Sequence, residues 1–277
     1  MATDSGALPF GARLRAAVEA RGPLCVGIDP HASLLSRWGL DDDPAGLESL
    51  ALTCLEAVAG EVAVVKLQSA FFERHGSAGV AVLERTIAAA KAVDLLVILD
   101  VKRGDVDSTA AAYADAYLNP SSALAADAIT VSPFLGFGSL RPFFDVARAH
   151  GTGVFVLART SNPDGDEVQG ARTGAGTVAA SVLSQLRDLN AGAEPMGSFG
   201  AVVGGTLAEL SEDVAINGPL LVPGLGAQGA TAGDVRRLLG HVWDQVLPSS
   251  SRGILAAGPA PGAVRAAVRE VAASLAG

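Results

Sequence analysis

The sequence predicts an α/β fold, a TIM (β/α)₈ barrel. Short apolar runs recur eight times, alanine-rich amphipathic segments lie between them, and 277 residues suit one barrel. Strands that alternate with helices pair in parallel, and eight such units close on themselves. We therefore expect a single barrel domain over residues 1–277.

The elements follow from the apolar pattern in chain order. A short helix is expected first, over about residues 8–21, where charged and apolar residues form an amphipathic pattern. The predicted strands are 24–28, 62–65, 95–99, 128–131, 153–157, 199–203, 220–222 and 253–257. The predicted helices between them are 44–59, 79–93, 108–118, 140–149, 177–191 and 232–239. An open, doubly wound sheet is the alternative, but no GxGxxG motif opens a helix after the first strand and no P-loop lysine is present.

Two segments rich in Gly, Asn, Asp, Glu and Pro are predicted to be loops, at 160–172 and 190–200. The first follows the fifth predicted strand and is a candidate lid. Neither segment has the character of a linker between domains.

Composition narrows the classes of partner. The net charge is −9 and basic residues are spread along the chain, which argues against nucleic acid or an anionic membrane, whereas a small anionic substrate is compatible. Only Cys25 and Cys54 are present, which fits a reducing compartment. The chain has neither the apolar centre of a signal peptide nor an apolar stretch of about 18 residues. We therefore expect a cytoplasmic protein.

Charged residues close two of the predicted strands. Asp100 and Lys102 end the third, and because they are two positions apart they should project from the same face and meet. Only three of the 20 basic residues are lysines, yet Lys66 and Lys102 both occupy strand ends. A lysine can give up a proton where an arginine cannot, which indicates proton donation, although a purely structural ion pair is the alternative.

Other polar side chains also stand where strands end. They are Asp29, Ser132, Thr160 and Ser161. The carboxyl ends of barrel strands carry active sites, so several polar strand ends in succession indicate a site there. The glycine-rich segment 223–229 after the seventh strand and Arg252 at the start of the predicted eighth strand together indicate a phosphate site.

These residues resemble the orotidine 5′-phosphate decarboxylase family in its longer bacterial form. The segment Asp100-Val-Lys102-Arg-Gly-Asp105 is similar to the family signature DxKxxD, and Lys66 stands at the family's second-strand lysine. Asp29, Ser132, Gln228 and Arg252 also have family counterparts, and the resemblance runs from about residue 22 to 258. Metal-dependent relatives share DxKxxD but have an acidic ligand where this chain has Lys66, whose charge would repel Mg²⁺.

The resemblance implies decarboxylation of orotidine 5′-phosphate to uridine 5′-phosphate, the last step of UMP biosynthesis, with no cofactor and no metal. Lys102 would be the proton donor, and Asp100, Lys66 and Asp105 would complete the catalytic set.

The resemblance also implies how the substrate is bound. Asp29 would bind the ribose hydroxyls, Ser132 the pyrimidine, and Gln228 with Arg252 the phosphate. Asp105 and Thr109 would reach the neighbouring site of a homodimer.

Two alternative functions remain compatible with the sequence, and Arg103 and His31 are not assigned to the site. The rivals are a Mg²⁺-dependent sugar-phosphate decarboxylase or aldolase on the same barrel, and a barrel that binds a phosphorylated ligand without catalysis. Arg103 should point away from Lys102 and serve a structural role. His31 follows the Asp29 motif, but no site role is assigned to it, and the histidines are not in metal spacing.

Overall fold

The computed structural model describes residues 8–174, 176–227 and 229–276, and within them eight parallel strands form a closed barrel. The described residues contain ten strands in all: β1 (Cys25–Ile28), β2 (Val64–Gln68), β3 (Leu96–Arg103), β4 (Ala128–Val131), β5 (Gly153–Arg159), β6 (Arg172–Thr173), β7 (Gly176–Thr177), β8 (Phe199–Val203), β9 (Leu220–Pro223) and β10 (Val246–Ser250). β6 and β7 form a separate antiparallel hairpin. In the barrel, each strand pairs with the next along the chain, and β10 pairs with β1. The predicted barrel is confirmed, and the open sheet is excluded.

In the described part of the chain, helices precede the first strand, follow the last, and occupy the connections between consecutive barrel strands except the one between β8 and β9. They are α1 (Phe10–Arg21), α2 (Ala32–Arg37), α3 (Pro44–Val58), α4 (Ala70–Glu73), α5 (Gly76–Ala92), α6 (Asp107–Leu118), α7 (Arg141–His150), α8 (Asp166–Gln169), α9 (Val178–Leu189), α10 (Ala232–Leu239), α11 (Arg252–Leu255) and α12 (Pro261–Ala276). Local sequence sets several boundaries: the Asp43 side chain accepts the Gly46 N–H before α3, and Thr231 and Asp234 form a capping box on α10. The sequence analysis did not predict α12. None of the described helices is long and apolar enough to cross a membrane.

The eighth barrel strand lies before the segment in which it was predicted. The prediction of a strand at 253–257 is wrong, because Arg252–Leu255 form the short helix α11 and the strand is Val246–Ser250. A short apolar run does not by itself distinguish a strand from a buried helix, and Pro248 obscured the true strand. Arg252 therefore follows the last strand, on the carboxyl side of the barrel.

Side chains inside the barrel form an apolar cluster closed by α1. The strands contribute Cys25, Val64, Ile98, Ala128, Phe155, Val202, Leu221 and Leu247. Phe10 of α1 packs edge-on against Phe155, with ring centroids 6.0 Å apart, and Leu14 is buried in the same cluster. A larger apolar cluster packs the outer faces of the strands against the helices. Because α1 closes the amino end of the barrel, the opposite end is left for the site.

Candidate active site

The inward-facing positions become polar two residues beyond the apolar cluster. Successive side chains of a strand alternate in direction, so a residue two further along points into the barrel again. Lys66, Asp100, Thr130 and Ser249 stand two residues after Val64, Ile98, Ala128 and Leu247. Together with the loops at the carboxyl ends, these polar side chains line a cavity of about 300 Å³.

Asp100 is the centre of a charged network in this cavity. Its Oδ1 accepts hydrogen bonds from the Lys102 ammonium at 2.6 Å and from the Thr130 hydroxyl at 2.7 Å. Its Oδ2 accepts one from the Lys66 ammonium at 3.2 Å. Lys66 also lies 3.6 Å from Asp29 Oδ1. The contact predicted between Asp100 and Lys102 is therefore present, and Lys66 connects it to the first strand.

The network fixes the charge state of its buried members. Burial by itself would raise the pKa of Asp100, but the positive charges of Lys66 and Lys102, with hydrogen bonds from Lys102 and Thr130, hold that pKa well below its ordinary value. Burial would lower the pKa of Lys66, but the negative charges of Asp29 and Asp100 hold it above its ordinary value. Asp100 is therefore an anion and Lys66 a cation at neutral pH.

The two lysines differ in exposure and in backbone conformation. The Lys66 side chain is 8% exposed, whereas that of Lys102 is 46% exposed and faces the open part of the cavity. Lys102 also has φ of 45°, in a region where a non-glycine residue costs roughly 1–3 kcal/mol, and the β3–β4 register is irregular there. The Lys102 N–H donates to Thr130 Oγ1 at 3.0 Å. Lys102 is thus the ammonium group that a bound molecule can reach.

Arg103 takes the structural role predicted for it. Its guanidinium donates to Glu73 of α4 at 2.6 Å and to the Tyr117 hydroxyl of α6 at 3.1 Å. It also lies over the rings of Tyr113 and Tyr117. The end of β3 is therefore anchored to the helix layer immediately after Lys102.

The remaining part of the cavity lies where the loops after β9 and β10 meet. Gly224, Leu225 and Ala227 line it from one loop, and Ser251 and Arg252 line it from the other. The predicted site residue Gln228 lies outside the described residues. Glycines 224 and 226 have φ of 112° and 82°, which a side chain would disfavour. This end combines backbone with one guanidinium, a combination that suits a phosphate group.

Three of the predicted site residues stand outside this cavity. Asp105 is half-buried and its carboxylate accepts the N–H of Val106, and Thr109 is exposed on α6. Ser132 lines a neighbouring cavity of about 510 Å³, which shares Leu157 with the first. Asp29, Lys66, Asp100, Lys102 and Arg252 are all brought together in the first cavity.

Sequence reasoning missed several residues that line the cavity. Thr130, Gln68, Asn162 and Ser251 were not selected, and Thr160 and Ser161 were noted only as polar strand ends. The signal that could have identified Thr130 is its position two residues after Ala128, on the inward face of a short strand. His31, to which the sequence analysis assigned no role in the site, packs against Phe71 with ring centroids 4.1 Å apart.

The described carboxylates of this cavity are paired with lysine ammonium groups and are not arranged to hold a metal ion. Within the described ranges, no group of three or more His, Cys, Asp or Glu side chains is suited to hold a metal ion. Both oxygens of Asp100 already accept hydrogen bonds from ammonium groups.

Comparison with known proteins places this geometry in a family. A family model described as "Orotidine 5'-phosphate decarboxylase / HUMPS family" matches residues 22–267. The chain belongs to that family.

Relatives named orotidine 5′-phosphate decarboxylase are similar over nearly the whole chain. One from a Nocardioides species is 65% identical over 252 residues, covering 90% of this chain and 92% of the relative. One from Streptomyces coelicolor is 59% identical and covers 94% of each chain. A crystal structure of a putative orotidine 5′-phosphate decarboxylase from Streptomyces avermitilis has a TM-score of 0.95 at 57% identity, covering 98% of this chain and 95% of that one. The family resemblance inferred from DxKxxD and Lys66 is thereby confirmed.

Proposed function

We propose that this chain is a carboxy-lyase that converts orotidine 5′-phosphate to uridine 5′-phosphate and CO₂, the last step of de novo pyrimidine biosynthesis. Membership of the family and the names of its most similar relatives support this activity. The observation that carries it is Asp100, buried between two ammonium groups in a cavity whose other end suits a phosphate.

The network is suited to heterolytic loss of CO₂. When the bond between the pyrimidine ring and its carboxylate breaks, the electron pair stays on the ring carbon, and no cofactor takes part to accept it. The substrate carboxylate lies beside Asp100, so that repulsion between the two anions is relieved as CO₂ leaves. Lys102 stabilises the developing negative charge and then transfers its proton to that carbon. Lys66 keeps Asp100 ionised.

Binding residues hold the substrate on either side of the reacting carbon. Asp29 accepts hydrogen bonds from ribose hydroxyls, and Arg252 with Gln228 binds the phosphate. Ser132 binds the pyrimidine from the neighbouring cavity. Contacts to the phosphate are remote from the chemistry, and their binding energy can drive positioning of the carboxylate against Asp100.

Asp105 and Thr109 act in the site of a second copy of this chain. Both stand outside the cavity of their own chain, close to an exposed apolar surface. Val106 is 46% exposed, Phe134 75% and Leu135 53%. The loops that carry them are adjacent, because the Ser132 N–H donates to the Arg103 carbonyl at 2.8 Å. A homodimer would cover this surface and complete both sites.

The cytoplasm remains the predicted location of the protein.

The decisive experiment measures loss of orotidine 5′-phosphate absorbance by the purified chain in excess EDTA. Conversion to uridine 5′-phosphate at an undiminished rate is expected, since Lys66 and Lys102 supply the positive charge. Absence of conversion, with turnover of another sugar phosphate that Mg²⁺ restores, would favour the metal-dependent rival. Binding of a phosphorylated ligand without turnover would favour the binding protein.

A further inference from the structure

Thr130 closes a ring of hydrogen bonds around Lys102. Its hydroxyl donates to Asp100 Oδ1 at 2.7 Å and accepts the Lys102 N–H at 3.0 Å. The same carboxylate oxygen accepts a hydrogen bond from the Lys102 ammonium at 2.6 Å. The backbone and the side-chain end of Lys102 are therefore both tied to one carboxylate, with the Thr130 hydroxyl as the link.

The surroundings leave this hydroxyl few alternatives. Thr130 is 1% exposed and lies on β4, whose flanking residues Ile129 and Val131 face the outer apolar cluster. Its single hydroxyl hydrogen is used in the hydrogen bond to Asp100, so its oxygen is free to accept a hydrogen bond from the Lys102 N–H. Lys102 has a disfavoured φ of 45°, and the bond to Thr130 holds its N–H in that conformation.

We propose that Thr130 is a positioning residue for decarboxylation, a role that rests on the proposed function. Its hydroxyl fixes the orientation of the Asp100 carboxylate and the backbone of Lys102, and so aims the ammonium at the reacting carbon. Thr130 acts through these two residues rather than by binding the phosphate. Its loss should therefore lower kcat much more than it raises KM.

The test compares Thr130→Val, which keeps the shape but loses the hydroxyl, with Thr130→Ser, which keeps the hydroxyl. For Thr130→Val we expect kcat to fall about 10- to 100-fold, as for loss of a hydrogen bond to a charged group, with KM changed less than about threefold. Thr130→Ser should stay within about threefold of the unmodified chain. Affinity for uridine 5′-phosphate, measured by calorimetry, should change little in either variant.

Thr86→Val is the matched control. Thr86 is also fully buried, and its hydroxyl donates to the Val82 carbonyl within α5, away from the cavity. This control should leave kcat unchanged even where it lowers the melting temperature. If Thr130→Val does not fold, Thr130→Ala removes the same hydroxyl without placing a methyl group against the Asp100 carboxylate.

The outcomes separate this inference from the proposed function. If the unmodified chain turns over orotidine 5′-phosphate and Thr130→Val matches it in kcat, the positioning role is wrong while the function stands. Equal losses in Thr130→Ser and Thr130→Val would also overturn it, because packing rather than the hydroxyl would then matter. Absence of turnover by the unmodified chain would overturn the function and this role together.

Discussion

At the scale of the residue, the site depends on one carboxylate shared by two lysines of different exposure. Asp100 and Lys66 are buried, whereas nearly half of the Lys102 side chain is accessible. A buried carboxylate with a single partner would face a desolvation cost of several kcal/mol, roughly, which two ammonium groups and a hydroxyl offset. The accessible lysine is left to carry out the proton transfer.

Replacing Lys102 with alanine should abolish turnover. We expect kcat to fall by at least about 10⁴-fold, because the proton donor and its stabilising charge are lost together. Binding of uridine 5′-phosphate should persist, since Asp29 and Arg252 remain. Turnover is measured by substrate absorbance and binding by calorimetry.

Lys91→Ala is the matched control for that variant. The Lys91 ammonium donates to the Ala125 carbonyl in a different part of the fold, so its removal should leave kcat unchanged. Turnover close to that of the unmodified chain in Lys102→Ala would contradict the proposed role of Lys102.

Replacing Lys66 with methionine should make catalysis sensitive to acid. In the unmodified chain the pKa of Asp100 is held far below its ordinary 3.8, so kcat at saturation should stay flat down to about pH 5. Without Lys66, burial raises that pKa and the remaining kcat should fall as the pH drops toward 5. We also expect a loss of about 10²- to 10³-fold at neutral pH.

The sign of the accompanying stability change follows from linkage. A carboxylate with a lowered pKa contributes its full stability above its unfolded pKa, 3.8 for Asp100, and loses that stability as the pH falls from there through the folded value. The Asp100 contribution should therefore persist through mildly acidic pH in the unmodified chain. In Lys66→Met, where burial raises the folded pKa above the unfolded one, the Asp100 carboxylate should instead destabilise the fold at neutral pH, and this penalty should be relieved as the pH falls toward 5. Profiles of kcat and of melting temperature with the same acid limb in both proteins would contradict this account.

At the scale of the element, each end of the barrel has its own task. α1 fills the amino end with Phe10 and Leu14, and the loops after the strands form the cavity at the carboxyl end. The apolar cluster separates the two. Stability and chemistry should therefore respond to different substitutions.

Phe10→Ala tests this separation. Phe10 is fully buried against Phe155, so its truncation should lower the free energy of unfolding by about 3–5 kcal/mol. KM and kcat at temperatures where the variant is folded should change little. Denaturant unfolding and steady-state kinetics measure the two effects.

Leu8→Ala is the control, since Leu8 is 66% exposed beside the same helix and its loss should change stability by less than about 0.5 kcal/mol. A large rise in KM for Phe10→Ala would mean that the amino end also shapes the site.

At the scale of the whole molecule, the proposed homodimer shares residues between sites. Asp105 stands outside the cavity of its own chain, beside the exposed Val106, and the Phe134 loop adjoins it. If Asp105 serves the partner's site, two inactive variants should complement each other. A closed twofold dimer has two equivalent sites, so the fraction of intact sites in a mixture of two variants can be calculated.

Mixing Lys102→Ala with Asp105→Ala under exchange should restore about a quarter of the activity, because half of the dimers carry one intact site. The control mixes Lys102→Ala with Asp100→Asn. Those two residues contact each other within one chain, so every site in that mixture remains defective. Activity that stays at the level of the separate variants in the first mixture would mean that the sites are not shared.

The barrel and its charged third strand are predictable from the sequence alone. Apolar runs that alternate with amphipathic segments are enough to predict the barrel, because the spacing of apolar residues determines which face of each strand or helix is buried. Asp100 and Lys102 were identifiable because charge at the end of an apolar strand is rare, and Lys66 because the chain otherwise uses arginine. The eighth strand was misplaced, since Pro248 and two serines do not form a recognisable apolar run.

Which residues share the cavity depends on contacts between strands and loops that the sequence pattern does not reveal. Ser132 and Thr130 are two positions apart on neighbouring parts of one segment, yet Ser132 lines the adjacent cavity and Thr130 holds Asp100. Asp105 follows the irregular end of β3, where strand alternation no longer predicts direction. The physical reason is that sequence period fixes the face of a regular strand, whereas contacts across strands and loops depend on how the barrel closes.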